Sequence, residues 1–466
     1  MGTSNQVIKI LSGEKFTPYT LARKLSAKAL LESASYAEGR SRYSLLLLDE
    51  AFRVSQEGGK VIFRQEGFPD KELQVEKDIL DALRYFADQH TAPFQDFPFP
   101  AGGLGFLSYE FCRRCDTIAL KEREDPLGLP EGLFIFGHQI LVFDHYTDLL
   151  YLIGLNYREH EIDLSEALEK TEKRIADLDF TYLQDEKAVL AEFPPVSREG
   201  YDLFCEGVEK IRKEIIAGNL LQGVLSRRIS VKSTLSGLEA YRRLRTVNPA
   251  PYLFYLDFTR FQLFGASPEV HVKAKQHEAV LRPIAGTRRR GKDLLQDRAL
   301  EKELREDEKE QAEHLMLVDL ARNDLGRVCT PGTVKMREFM EVERYAKVMH
   351  LVSEVSGEPA EGVSGADIIR ASFPAGTVSG APKIRAIETI DALEPHRRGF
   401  YAGLVGYMEP GAYLDTCITI RSALKMDDTF YLQAGAGIVY DSDPQREFEE
   451  TEAKLSALVH AMEKEN

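Results

Sequence analysis

The sequence predicts an α+β fold, and three observations predict it. Long aromatic-rich runs read as antiparallel hairpins, namely "YLFYLDFTRFQLFGASPE" (252–269) and "LDTCITIRSALKMDDTFYLQAGAGIVY" (414–440), the second turning at Met426-Asp427-Asp428. Two long stretches of helical spacing lie between them, about 298–325 and 363–392. Strands and helices do not alternate singly, as a doubly wound parallel sheet requires.

The elements follow in order. The N-terminal part carries short β-like runs, "YSLLLLD", "GKVIFRQ", "FIFGHQILVFDH" and "LLYLIGL", with a helical stretch at "EKDILDALRYFADQH". Residues 160–182 read as a charged helix. "LQDEKAVLAEFPPVSRE" has the acidic and proline-containing composition of a connector, which places a boundary near residue 190, between a domain 1–190 and a domain 191–466. Beyond it, Val208, Ile211 and Ile215 mark one face of a helix, and Gly218-Asn219 ends it. Pro382 reads as the first residue of a later helix.

A chain of 466 residues with 43% hydrophobic side chains buries a large core and folds as more than one unit. Its net charge of −15 argues against duplex nucleic acid or an anionic membrane as the main partner. The basic run "RRRGKD" (288–293) sits beside "EKELREDEKE" and reads as a solvated loop. No apolar stretch approaches the roughly 18 residues of a membrane span, and "MGTSNQ" has no signal-peptide pattern, so a cytoplasmic protein is expected. Five cysteines, an odd and sparse set, suggest free thiols; "CRRC" (112–115) lacks the second pair a zinc site needs.

The stretch "DSDPQREFEETEAK" (441–454) divides when wound as a helix. At about 100° per residue, Glu447, Glu450 and Lys454 share one side, bordering an apolar stripe of Phe448, Leu455, Leu458, Val459 and Met462. Glu449 and Glu452 point away and read as surface. Carboxylates at the edge of a core need compensation. Two readings stand: a salt bridge to Lys454, or a cation. "EQAE" gives Glu310 and Glu313 the same spacing on another helix. Four helix-borne carboxylates without a Cys/His cluster suit a hard ion such as Mg2+.

Four motifs, "PIAGTRRRG" (283–291), "EHLMLVDLARNDLGRVC" (313–329), "FPAGTVSGAPKIRAIE" (373–388) and "LQAGAGIVYDSDPQREFEET" (432–451), occur in this order. Together they resemble the chorismate-utilising enzymes, and within them the component I chains of anthranilate synthases. The resemblance covers 195–466 and reaches the N-terminal part through "LLES" (30–33) followed by Ser44.

The resemblance implies large antiparallel sheets packed as a sandwich with flanking helices. It also implies Mg2+ on Glu310, Glu313, Glu447 and Glu450, bridging to the ring carboxylate of chorismate. Arg421, Lys454 and the backbone of Gly435-Ala436-Gly437 match substrate contacts, as does Tyr401. Glycine there lets a backbone approach an anion closely; a tight strand bend is the alternative.

Glu269 matches the general acid that protonates the departing C4 hydroxyl, a role that needs a raised pKa. His350 matches a histidine near the ring, or is a packed, hydrogen-bonded one. Thr377 lies in a glycine-containing loop whose amides and following helix suit an anion, and the resemblance counts it with the catalytic positions.

Gln222 cannot act as a general base, where water-using relatives carry a lysine. The resemblance therefore implies ammonia as nucleophile. Ala285 stands where many aminodeoxychorismate synthases carry a nucleophilic lysine, which favours anthranilate as product over aminodeoxychorismate. A silent chorismate-binding regulatory subunit is the reading from another class, and the presence of Glu269 with all four glutamates argues against it.

No cysteine lies in a G-x-C-x-G setting, so a separate glutamine amidotransferase chain would supply the ammonia. Leu31, Glu32, Ser33 and Ser44, with Asn248, Pro249, Ala250 and Tyr252 of "NPAPY", match the segments that hold inhibitory tryptophan in the family. Ala250 and Leu253 depart from that pattern, standing where serine and methionine are common. Without the resemblance, "LLES" reads as a helix end whose serine caps the next element.

Overall fold

The computed structural model describes residues 5–35, 39–40, 42–93, 97–123, 125–178, 196–275, 277–345, 348–411 and 413–463. Two large antiparallel sheets face each other across the main core. The first, of eleven strands, runs from Gln6–Ser12 through Leu149–Leu155, Gln139–Asp144, Tyr43–Leu47, Ala29–Glu32, Tyr252–Asp257 and Gln262–Ser267. It continues through Ser422–Met426, Thr429–Ile438 and Gln222–Lys232 to Gly380–Ala381.

The second sheet, of twelve strands, begins with Ile284–Arg289, Val348–Gly357, Glu278–Leu281, Val270–Lys275, Leu414–Ile418 and Leu404–Met408. It ends with Leu104–Leu107, Gly132–Phe136, Phe52–Glu57, Lys60–Arg64 and Lys71–Leu73; Lys335–Arg344 pairs beside Val348–Gly357. Each sheet thus takes strands from both sides of residue 190; the connector read there lies outside the described residues up to 195, and its last residues, from Arg198, already belong to a helix.

Alternation decides which side chains meet in the middle. Leu45, Leu47, Phe254, Leu256 and Leu263 of the first sheet share one buried cluster with Val54, Phe106, Phe134, Val272 and Leu404 of the second. The opposite face of the first sheet, carrying Leu30, Leu46, Leu253 and Phe264, is covered by helices through Leu168, Tyr241, Leu244, Leu455 and Val459. Phe204, Val208 and Ile211 of helix Arg198–Ile216 pack with Ala436, Ile438 and Phe448 in a third cluster. The expected stop of that helix at Gly218 is observed, with φ +78°.

Several expectations change. The stretch 298–325 is two helices, Leu294–Glu306 and Glu308–Gly326. Asp307 breaks it: its carboxylate accepts from the Lys309 and Glu310 amides at 3.0 and 3.2 Å, capping the second helix. The stretch 363–392 is three helices, Gly365–Ser372, Gly376–Ser379 and Lys383–Leu393, because Pro374 and Pro382 interrupt the amide ladder. Pro382 itself is the cap residue before Lys383 rather than the first helical residue.

"LLES" is strand, not a helix end. "RRRGKD" is not a solvated loop, since Arg288 pairs with Glu303, Asp307 and Glu310, and Arg290 with Asp297. Glu452 is not plain surface either: it pairs with Arg227.

The hairpin read over 414–440 is half right. Ser422–Met426 and Thr429–Ile438 form it, turning at Asp427, but Leu414–Ile418 belongs to the other sheet. The same happens in "YLFYLDFTRFQLFGASPE": after its hairpin the chain leaves the first sheet at Ser267 and enters the second at Val270. At these two crossings, Pro268–Glu269 and Thr419–Arg421, the sheets exchange chain side by side. The Ile418 amide donates to the Glu269 carbonyl at 3.1 Å, and the Ala266 amide to the Arg421 carbonyl at 3.0 Å.

Candidate active site

The crossings place two of the expected residues. Glu269 is 6% exposed, and burial raises its carboxyl pKa from an ordinary 4.5 to about 8; the Thr377 hydroxyl and the Ile284 amide temper the shift. Thr377 Oγ1 is itself buried and makes no full hydrogen bond. The carboxyl, Thr377, Gly376, Leu317 and Arg282 line one small cavity. Glu269 is therefore an un-ionised acid at neutral pH, not an exposed hairpin-end glutamate.

Arg421 adopts φ +51°, a left-handed conformation that costs a non-glycine residue strain. The strain is tolerated where the surroundings over-determine it, which is common at binding sites. Burial lowers the guanidinium pKa, while Tyr401 and Glu450 push it back up.

His350, on Val348–Gly357, shares its Nδ1 with the Gly286 carbonyl at 2.9 Å and the Thr287 hydroxyl at 3.1 Å. A carbonyl can only accept, so Nδ1 carries the hydrogen and Nε2 is the free base. Burial lowers the imidazole pKa, with Arg421 and Lys454 adding to the effect, so the ring is neutral. Gly286, within "PIAGTRRRG", carries no side chain to signal this role. Its φ of +63° and a Cβ that would stand 3.1 Å from Leu304 and 3.3 Å from Glu310 explain why glycine is needed to bring that carbonyl round.

Gln222 begins the strand Gln222–Lys232, and its Nε2 donates to Glu313 Oε1 at 2.8 Å. Its Oε1 is buried without a partner. A Cβ on Gly437 would fall 2.7 Å from Gln222 Nε2, and one on Gly435 would fall 2.9 Å from the Tyr401 hydroxyl. The glycines of "AGAG" therefore make room for two site side chains. They lie in regular pairing, Gly437 opposite Val224 and Gly435 opposite Ser226, with Ala436 buried between them. Tyr401, buried in the turn before Leu404–Met408, has its pKa pushed up to about 12, chiefly by burial. The Gly435 amide faces its hydroxyl.

The four glutamates come from two helices. Helix Glu308–Gly326 packs on Ile284–Arg289, and helix Pro444–Met462 on Thr429–Ile438. Burial raises the pKa of Glu313, with Glu310 and Glu450 adding to it. Burial likewise raises that of Glu447, with Glu450 adding. The two pairs therefore feel each other across the helices.

Each pair also has protein partners. Arg288 Nη1 meets Glu310 at 2.9 Å, and Lys454 Nζ meets Glu450 at 2.6 Å and the Gly435 carbonyl at 2.8 Å. Lys309 ties its helix to the turn before Pro444–Met462 through Asp441 at 3.0 Å. In this arrangement no three acid, histidine or cysteine side chains among the described residues form a group tight enough to hold an ion. The donor set nevertheless fits Mg2+ in kind: it offers hard oxygens only, and the neighbouring carboxylates that add to the raised pKa of Glu313 and Glu447 are a repulsion that a dication would relieve.

The eight residues expected around a second ligand divide. Leu31, Glu32, Ser33 and Tyr252 line a cavity of about 1020 Å3 between the sheets. Ser44, Asn248, Pro249 and Ala250 do not line it. Ser44 faces away and meets His145 Nε2 at 2.8 Å, and the Ala250 carbonyl accepts from the Ala34 amide at 3.0 Å. Asn248 closes helix Gly237–Val247, and Pro249 follows it. Glu32 is held by the Tyr241 hydroxyl at 2.7 Å and by Arg245 at 3.4 Å. Tyr252 donates to Asp415 at 2.7 Å.

Comparison with known proteins gives four findings. The family described as chorismate binding enzyme matches residues 31–460. Anthranilate synthase component 1 of Spirochaeta aurantia is 58% identical over 458 residues, 98% of this chain and 95% of that protein. That of Acetivibrio thermocellus is 38% identical over 96% of this chain and 93% of its own. The crystal structure of anthranilate synthase component I from Streptococcus pneumoniae TIGR4 superposes with a TM-score of 0.81 at 35% identity, covering 90% of this chain and 92% of that one.

Proposed function

The chain belongs to the chorismate-binding enzymes, on their anthranilate synthase component I branch, and from that premise we propose how its site converts chorismate to anthranilate. Arg421 and Lys454 hold the carboxylates of chorismate, with Tyr401 beside them. Ammonia approaches ring C2 beside Gln222, whose unpartnered Oε1 accepts one of its N–H groups while Glu313 fixes the amide. As the C2–N bond forms, the ring double bonds shift and the C4–O bond breaks. The oxygen leaves as water with the proton of Glu269, and the ammonium formed at C2 gives up one proton, which balances the one that the acid spends.

In the second half, the C2 proton passes to His350 Nε2. The C3–O bond breaks, the enolpyruvate released takes up a proton at its methylene carbon to become pyruvate, which returns His350 to its neutral form, and the ring becomes aromatic. Glu310, Glu313, Glu447 and Glu450 would hold Mg2+, which when bound supplies positive charge to the ring carboxylate. The observation that carries this reading is Glu269: a carboxyl acid kept protonated to about pH 8 by burial, in one cavity with Thr377.

Component 1 chains work with a second subunit. We assign that role to a glutamine amidotransferase supplying ammonia, and the cytoplasm as the compartment. No helix among the described residues is long and apolar enough to cross a membrane. Tryptophan is proposed as inhibitor in the cavity lined by Leu31, Ser33 and Tyr252, whose volume accommodates an indole side chain.

The test is to incubate the protein with chorismate, Mg2+ and an ammonium salt and to follow anthranilate fluorescence. Accumulation of aminodeoxychorismate instead would overturn the product assignment. Binding of chorismate without turnover would overturn catalysis.

A further inference from the structure

One arginine outside the site holds three parts of it. Arg398 lies in "EPHRRGFYAG" and is 1% exposed, although arginine is rarely buried unless paired. Its Nε and Nη2 grip Glu394 at 2.9 and 2.8 Å in the two-point geometry that only a guanidinium offers. Nη2 also donates to the Val224 carbonyl at 2.6 Å, and Nη1 to the Val378 carbonyl at 2.7 Å. Four of the five N–H groups of a guanidinium are used in this way.

The acceptors are not arbitrary. Val224 is two residues along the strand from Gln222. Val378 follows Thr377 in the short helix Gly376–Ser379. The guanidinium carbon also stands 5.6 Å from the centre of the Tyr401 ring and 4.4 Å from that of Tyr109. Glu394 in turn accepts from the Ser226 amide and hydroxyl at 2.8 and 2.7 Å, so the strand is held at a second point. The Glu110 carboxylate takes the Arg398 and Gly399 amides at 2.7 and 3.1 Å, fixing the backbone that carries the arginine.

We propose that Arg398 is a positioning residue that sets Gln222, Thr377 and Tyr401 in register with one another. None of its contacts is to the proposed substrate position, so it acts through those three. Nothing else among the described contacts joins all three elements through one side chain. Isolated helix Gly376–Ser379 is too short to hold its own orientation; the pairing of Gly380–Ala381 with Gln222–Gly223 holds its end, and the Val378 bond holds it from the side of Arg398. A buried ion pair adds little net stability against an apolar replacement. Its value here is geometric.

The inference rests on the proposed chorismate reaction, and the experiment separates the two. Wild type, Arg398→Lys, Tyr401→Phe and the double variant are assayed for anthranilate from chorismate and ammonium, with circular dichroism melts as the folding control. Wild type forming no anthranilate would sink the reaction, whatever the variants do.

With wild type active, Arg398→Lys should fold yet lose at least 10-fold in kcat, with the KM for chorismate changed less than 3-fold. Its loss and that of Tyr401→Phe should not multiply in the double variant, because both disturb one unit. Losses that multiply, a kcat within 2-fold of wild type, or a change confined to chorismate KM would overturn the proposal. Glu394→Gln, which keeps the arginine but weakens its anchor, serves if Arg398→Lys fails to fold. It should show the same kcat-selective, non-multiplying loss, and its absence is equally decisive.

Discussion

Glu269 gives the sharpest quantitative prediction, because its burial ties stability and activity to the same proton. The folded protein holds that proton to about pH 8, whereas the unfolded chain releases it near 4.5. Between those values the native state binds more protons than the unfolded state, so stability falls as pH rises. Each pH unit in the window removes about 1.4 kcal/mol, and the whole window about 5 kcal/mol. The contribution is complete below pH 4.5 and exhausted above 8.

Glu269→Gln removes the titration while preserving shape. The amide variant should match wild type near pH 4.5 and become relatively more stable with each unit above it. Across the two units from pH 6 to 8, the difference between the two unfolding free energies should grow by about 2 kcal/mol, the gain tapering as the acid starts to ionise. Paired urea titrations of both proteins at pH 6 and 8 measure it. The same substitution should cost turnover about 10²- to 10⁴-fold, the usual worth of a general acid. Wild-type kcat should fall as pH rises through 8, as the acid ionises. A stability gap that is flat between pH 6 and 8 would refute the reasoning, since it would mean that Glu269 is already ionised in the fold.

Three further outcomes are expected. Arg421→Gln should raise the KM for chorismate about 10- to 100-fold, the worth of a charge-assisted hydrogen bond, with the fold intact by circular dichroism. Gly437→Ala puts a methyl group where Gln222 Nε2 now lies, so the KM for ammonium should rise while chorismate binding by calorimetry stays near wild type. Glu447→Gln should shift the Mg2+ concentration for half-maximal activity upward, and part of the lost activity should return in excess Mg2+. An unchanged magnesium curve would remove Glu447 from the metal site.

Local features of the sequence carried over well, and the reason is physical. The sides of helix Pro444–Met462 follow from spacing alone, so Glu447, Glu450 and Lys454 were separable from Glu449 before any contact was known. The hairpin turn at Asp427 was equally plain. What failed was longer in range. Asp307 looked like one more acid in a charged helix, since capping depends on where its carboxylate turns. The break at Pro374 was written in the residue itself and overridden by the helical spacing around it. Glu452 looked like surface because Arg227, its partner, lies 225 positions earlier in the chain. Arg398 left no signal, because "EPHRRGF" has the composition of an exposed loop.

The sheet crossings explain why the site is where it is. A strand alternates its side chains between two faces, so a residue within one strand serves either the core or the outer face. At a crossing that rule lapses, and the side chain can enter the seam between layers. Glu269 and Arg421 occupy such positions, one at each of two adjoining crossings, and their carbonyls are used to stitch the crossings together. An un-ionised acid needs a dry pocket, and a guanidinium that receives an anion needs a way in; the seam provides the first deep between the sheets and the second at its rim. Helices Glu308–Gly326 and Pro444–Met462 then bring carboxylates to that rim from either side. Both roles are met where the chain changes sheets, so the chemistry of Glu269 and Arg421 makes use of the two crossings.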